Sequence, residues 1–131
     1  MYVSVSTVSP EQVECEIASI IEASVINNTR LGITGAIIFT GDHFAQALEG
    51  DEECVRGLMK SIRADPRHRA VTVVHEDRSL ERRFAGWSIA YQGQASYVGR
   101  PIETLLSAEP IEAKWQATQR VYDLMTEFAK P

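Results

Sequence analysis

Residues 33–49 constrain this chain more than any other stretch. Residues 33–39 are largely apolar and β-branched, Thr40-Gly41-Asp42-His43 carries turn chemistry, and residues 44–49 resume an extended pattern. Together they predict a β-hairpin. Upstream, residues 2–7 alternate, with Tyr2, Ser4 and Ser6 on one face and Val3, Val5 and Thr7 on the other, which is the period of a strand. Ser9-Pro10 then supplies a hydroxyl N-cap and a proline at the first helical position, with Gln12 placed to complete a capping box. Val13, Ile17, Ile20, Ile21 and Val25 carry a helix to about Ile26 or Asn27.

Downstream of the hairpin, Gly50-Asp51 ends the second strand, and Val55, Leu58, Met59 and Ile62 mark another amphipathic helix that closes before Pro66. Residues 70–75 and 84–91 read as two more strands on either side of a charged turn. The order is βαββαβ with one extra strand. That order predicts an α+β fold, a ferredoxin-like βαββαβ(β) sandwich with an antiparallel or mixed sheet and two helices on one face. A Gly/Gln/Ser-rich connector follows, then a short helix begun by Pro101 and a C-terminal helix over residues 111–130. Ile111, Trp115, Thr118, Tyr122, Met125 and Ala129 step by three and four along that last helix, giving it an apolar stripe that needs a surface. Residues 1–92 are therefore read as the domain proper, and residues 93–131 as a connector and helical extension.

Composition narrows the function. The 131 residues suit one compact core, and 13 Lys and Arg against 18 Asp and Glu give a net charge of -5, so no positive field gathers nucleic acid or anionic lipid. Arg67, Arg69, Arg82 and Arg83 form no continuous basic patch with interleaved aromatics. No apolar run approaches the roughly 20 residues that span a bilayer, and no signal peptide is visible, so the expected location is the cytoplasm. Cys15 and Cys54 have no CxxC or Cys/His neighbours, which predicts neither a metal site nor a disulfide framework.

Against this background one residue is out of place. Gln46 lies between Phe44 and Leu48 on the face of the hairpin that should cover the core, and a buried amide left unpaired costs about 1 to 3 kcal/mol. Tyr2 and Ser4 share a face of the first strand, and Asn27-Asn28 closes the first helix. Singly, the tyrosine reads as packing and the asparagine as a helix cap. Together with Gln46 they form a phenol, a hydroxyl and carboxamides suited to the edge of a flat heterocycle.

The runs Asn27-Asn28-Thr29-Arg30-Leu31-Gly32-Ile33-Thr34-Gly35, Phe44-Ala45-Gln46-Ala47-Leu48-Glu49-Gly50, Asp65-Pro66-Arg67-His68 and Arg83-Phe84-Ala85-Gly86-Trp87-Ser88 resemble the BLUF family in order and spacing. The resemblance covers residues 1 to about 91. It implies a blue-light photoreceptor domain, not an enzyme, that holds FAD non-covalently between its two helices. The family's light-reactive tyrosine, in its Tyr-x-Ser motif, falls on Tyr2 with Ser4, its flavin-contacting asparagine on Asn28, an accompanying serine on Ser24, and its switching glutamine on Gln46. Its Arg-His pair near the flavin falls on Arg67 and His68, and its strand-5 tryptophan on Trp87. Two residues further on the family usually has methionine, and here Ile89 keeps bulk and apolarity without the sulfur. The implied partners are the flavin, a separate output protein and a second copy of the chain. Two alternatives stand beside this reading: a BLUF-like interaction module without flavin, and an acylphosphatase-like enzyme on the same sandwich. The second lacks a glycine or arginine in Val8-Ser9-Pro10, where an anion cradle would be needed.

Overall fold

The computed structural model describes residues 1–86 and 88–129, with the backbone alone for residues 88–90. Five strands, β1 (Tyr2–Ser6), β2 (Thr34–Phe39), β3 (His43–Glu49), β4 (His68–Val73) and β5 (Ser88–Gln92), form one sheet in the order β4-β1-β3-β2-β5. The first four pair antiparallel throughout. β5 adds itself parallel to β2, with Ile37 opposite Ile89. This is the ferredoxin-like arrangement with an extra strand, and the mixed sheet follows from that parallel edge.

Helix α1 (Val13–Leu31) is entered through a 3-10 turn, Pro10–Gln12, and Ser9 makes no side-chain cap. The expected capping box is absent because the proline starts a tighter turn than an α-helix. The helix also runs past Asn27. Its end is set by Gly32, whose φ of 70° is the left-handed geometry that glycine adopts without steric cost, and whose N–H bonds the carbonyls of Asn28 and Thr29. Asn28 is therefore not a terminal cap: it lies inside the last turns of α1, four residues after Ser24 and on the helical stripe that starts at Ile17 and Ile20.

The first face of the sheet is closed by that stripe, since Ile17 and Ile20 cluster with Ile37, Phe39 and Phe44. The second face is closed by the C-terminal helices α3 (Ser96–Leu105) and α4 (Ile111–Phe128), whose Val98, Ile102, Leu105, Val121, Leu124 and Met125 join Val3, Ala36, Ile38, Ala45 and Ala47 in one cluster. Pro101 lies inside α3 rather than at its start. The burial of Val98, Ile102 and Leu105 holds the helix across the one hydrogen bond that proline forfeits. The seated stripe of α4 begins at Ala117, so Ile111 and Trp115, expected to seek the sheet, stay exposed; Trp115 keeps 56% of its surface in solvent.

Helix α2 (Glu52–Ala64) starts on Asp51, whose carboxylate accepts the Cys54 N–H at 3.4 Å, and packs beside β4 without a single buried residue. Val55, Leu58, Met59 and Ile62 are all only half-buried. Strand β4 starts two residues earlier than its hydropathy suggests, at His68. It carries an irregularity opposite Val3 and Val5, where Ala70 has a φ of 55°. Phe84, expected in a strand, precedes β5 and is buried in the cluster under α4. Between β2 and β3 the chains approach so closely that a Cβ on Gly35 would stand 1.9 Å from the Ala47 carbonyl oxygen.

Candidate functional site

The site is built on the first face, where β1 and β3 run side by side. Tyr2 and Gln46 are directly opposite in register, and the Tyr2 hydroxyl donates to Gln46 Oε1. Both are buried, at 2% and 4% exposure. The phenol has its pKa raised, first by loss of water and then by the Asp65 carboxylate, so it is a protonated donor at every physiological pH. The amide that looked out of place in the hairpin thus has a partner one strand away.

Two residues along β1, Ser4 Oγ is 2.8 Å from His68 Nδ1. The His68 ring packs at 4.4 Å from Phe44 and edge-on to Tyr2 at 6.0 Å. Burial pushes the His68 pKa down, with Asp65 opposing and Arg67 assisting. His68 is half-buried: it opens β4 and joins the Tyr2 and Ser4 side of the sheet. Its neighbour Arg67 takes a different role. The guanidinium bonds Asp65 at 2.7, 3.0 and 3.1 Å and reaches Glu16 of α1 at 3.5 Å. The Asp65 carboxyl is pulled below its ordinary range because the Arg67 bonds outweigh the opposing effect of burial. Arg67 fastens the α2–β4 loop to α1 rather than reaching free into the site.

Asn28 is the residue that most specifically asks for a ligand. It is 1% exposed, and among the described residues neither its Nδ2 nor its Oδ1 has a hydrogen-bond partner. A buried amide with both polar atoms unpaired costs about 1 to 3 kcal/mol, which a fold keeps where something else supplies the missing donor and acceptor. The pyrimidine edge of a flavin, with its N–H flanked by carbonyl oxygens, has that complement. Ser24 stands one turn earlier on α1, half-buried. Trp87 and the side chain of Ile89 lie outside the described residues.

Sequence reasoning missed a second polar cluster at the end of the hairpin. The Glu49 carboxylate accepts the N–H groups of Arg83 and Phe84 at 2.5 and 2.7 Å. The Arg82 guanidinium donates to the Gly32 carbonyl at 2.8 Å and to Thr34 Oγ1 at 2.9 Å. All four bonds, three of them between a side chain and the backbone, span more than thirty residues of sequence, for which no local pattern exists. Among the described residues no group of acidic, histidine or cysteine side chains is arranged to hold a metal ion, and no helix is long and apolar enough to cross a membrane.

Comparison with known proteins points the same way. The family model of sensors of blue-light using FAD matches residues 1–90. Photoactivated adenylate cyclase subunit alpha of Euglena gracilis is 31% identical over 88 residues, 66% of this chain and 8% of that protein. Across the first three such relatives the chain spans 8 to 12% of their length. Among solved structures, the dark state of BlrB superposes with a TM-score of 0.76 at 26% identity, covering 96% of this chain and 92% of that one. Klebsiella pneumoniae BlrP1, solved with FMN and cyclic diGMP, gives a TM-score of 0.60 at 37% identity over 67% of this chain and 24% of its own.

Proposed function

Because the chain belongs to the BLUF family of flavin-binding blue-light sensors, we propose that it holds FAD against Asn28 and Gln46 and reports illumination through the Tyr2–Gln46 pair. The observation that carries the reading is the Tyr2 hydroxyl bonded to Gln46 Oε1 on a face where Asn28 has two unsatisfied atoms. A bound flavin supplies absorption of blue light and, once excited, accepts an electron.

The residues of this chain supply the rest. Asn28 offers one donor and one acceptor to the heterocycle edge, and Ser24 and the half-buried Val55, Leu58, Met59 and Ile62 flank the bound molecule. The Tyr2 phenol is held protonated by burial, so an electron leaves it only with its proton, and that proton points at Gln46 Oε1. Gln46 carries a donor and an acceptor on one rotatable end, so a proton arriving at its oxygen changes which neighbours it bonds. Ser4 and His68 fix the flank of Tyr2, and Arg67 holds the loop that carries His68. Trp87 and Ile89 are assigned to the same region by their positions in the family motif. The rearranged amide signals through the sheet to a separate protein, or to a second copy of the chain, bound on the helical side.

The experiment is reconstitution of the flavin-free protein with FAD and with FMN, followed by illumination. FAD co-eluting on gel filtration and a small red shift of its absorption without bleaching support the reading. In Gln46→Leu the flavin stays bound and the shift vanishes, while Asn28→Ala weakens binding. A protein that retains neither flavin rejects the proposal, and a full shift in Gln46→Leu rejects the role given to Gln46.

A further inference from the structure

A change at Gln46 occurs on the first face of the sheet, whereas α3 and α4 cover the second. Strand β3 itself makes the crossing. Glu49 stands three residues after Gln46, and an odd spacing in a strand places the two side chains on opposite faces. At the far face the Glu49 carboxylate takes both the Arg83 and the Phe84 N–H. Two backbone donors converging on one carboxylate make charge-assisted bonds that fix a segment more firmly than neutral ones. Arg82, beside them, donates to the carbonyls of Gly32 and Glu49 and to Thr34 Oγ1, so the ends of α1, β2 and β3 all meet residues 82–84.

From that meeting point two side chains reach α4. Phe84, 6% exposed, shares a core cluster with Val121, Tyr122, Leu124 and Met125. The Arg83 guanidinium carbon lies 4.2 Å from the centre of the Tyr122 ring, within range of a cation–π attraction. On its other side the Tyr122 hydroxyl is 2.9 Å from His75 Nδ1, which ties the same ring to the segment after β4.

We infer that Glu49 is a positioning residue that carries the rearrangement at Gln46 to α4, through the backbone of Arg83 and Phe84. The inference rests on the flavin-sensor reading above and names one residue of the route: a displacement of β3 moves the Glu49 carboxylate, the two N–H groups follow it, and Phe84 and Arg83 shift against Tyr122. In Glu49→Gln one carboxylate oxygen becomes an NH2 that faces an N–H, so one of the two bonds is lost. In Arg83→Gln the cation over the ring is lost at an exposed position where folding is not at stake.

The test is hydrogen–deuterium exchange of residues 111–128 in the dark and under blue light, on FAD-loaded full-length wild type, Glu49→Gln and Arg83→Gln, with the red shift recorded on the same samples. The wild type is expected to show the red shift and a light-dependent exchange difference in α4. Both variants should keep the full red shift and lose at least half of that difference. A purely structural role for Glu49 would alter exchange equally in dark and light, leaving the difference intact, and that result overturns the relay. So does a wild type that shifts its absorption with no response in α4. A wild type without any red shift rejects the sensor reading itself and the relay with it. If Glu49→Gln fails to fold, Arg83→Gln decides alone.

Discussion

On the α4 side of the sheet, Val3, Ala36, Ile38, Ala45 and Ala47 meet Val121, Leu124 and Met125, and nearly all of these side chains are fully buried apolar groups. On the α1 side, Tyr2, Ser4, Gln46 and Asn28 interrupt the apolar surface, α2 buries nothing, and the Asn28 amide has no partner among the described residues. The first of these faces is completed by the chain's own residues. The α1 face, by contrast, carries the polar cost of that unpaired amide. The same sheet thus divides its labour, with one side supplying stability and the other spending some of it on binding, which is where natural folds concentrate such departures.

The comparison breaks most visibly on the stable side. Leu124→Ala removes a side chain with no solvent exposure from the α4 cluster and is expected to cost about 2 to 5 kcal/mol through lost transfer energy and a cavity. Urea unfolding measures it. A loss under about 1 kcal/mol would mean that α4 is loosely seated and that the two sides are not as unequal as their burial suggests.

On the ligand side the same kind of experiment has the opposite sign. Asn28→Leu replaces two unpaired buried atoms with a side chain of similar size, so the flavin-free protein should gain about 1 to 3 kcal/mol while flavin retention is lost. Unfolding midpoints of the flavin-free variants and flavin content after gel filtration check both halves. A variant that is less stable and still yellow would show that Asn28 is satisfied in some other way and makes no contact with the flavin.

The difference between the two sides was partly legible in the sequence. A period of two puts Gln46 between Phe44 and Leu48 and puts Tyr2 with Ser4, and nothing in the fold disturbs that alternation, so the strand-borne half of the site was readable. Asn28 was harder. Asn27-Asn28 looks like a helix end, and only the glycine at position 32 shows that the helix continues and turns Asn28 inward with Ile17, Ile20 and Ser24. His68 has the look of a loop residue until β4 is seen to begin on it. Arg82 and Arg83 read as solvated charges and Glu49 as the end of a strand, because the bonds that join them depend on tertiary approach and leave no trace in local spacing. The C-terminal stripe was visible, and Thr118, Tyr122 and Met125 are buried on it, but tertiary contact seats Ala117, Val121 and Leu124 beside them and leaves Ile111 and Trp115 exposed.

The smallest effect sharpens the comparison through pH. His68 has a folded pKa below its ordinary 6.5 because burial disfavours the imidazolium. A base held neutral by the fold contributes stability that is complete above the unfolded pKa and is lost as pH falls through the folded one. The wild-type unfolding midpoint should therefore decline as pH drops from about 7 to about 5, the range in which an unfolded histidine gains its proton. Asp65 behaves with the same sign, but its folded pKa is lowered from 3.8, so its contribution fades only in more acid solution; the Met1 amino group, lowered by burial from 8.0, adds a decline of the same sign that His68→Asn leaves in place. In His68→Asn the decline should flatten, since the ring that must shed its proton is gone while a polar partner for Ser4 remains. Leu124→Ala, on the apolar side, should lower the whole curve without changing its slope. Thermal melts of the flavin-free proteins at three pH values across the window make the measurement. A His68→Asn curve as steep as the wild type's would place the titrating group elsewhere and remove His68 from the polar side's account.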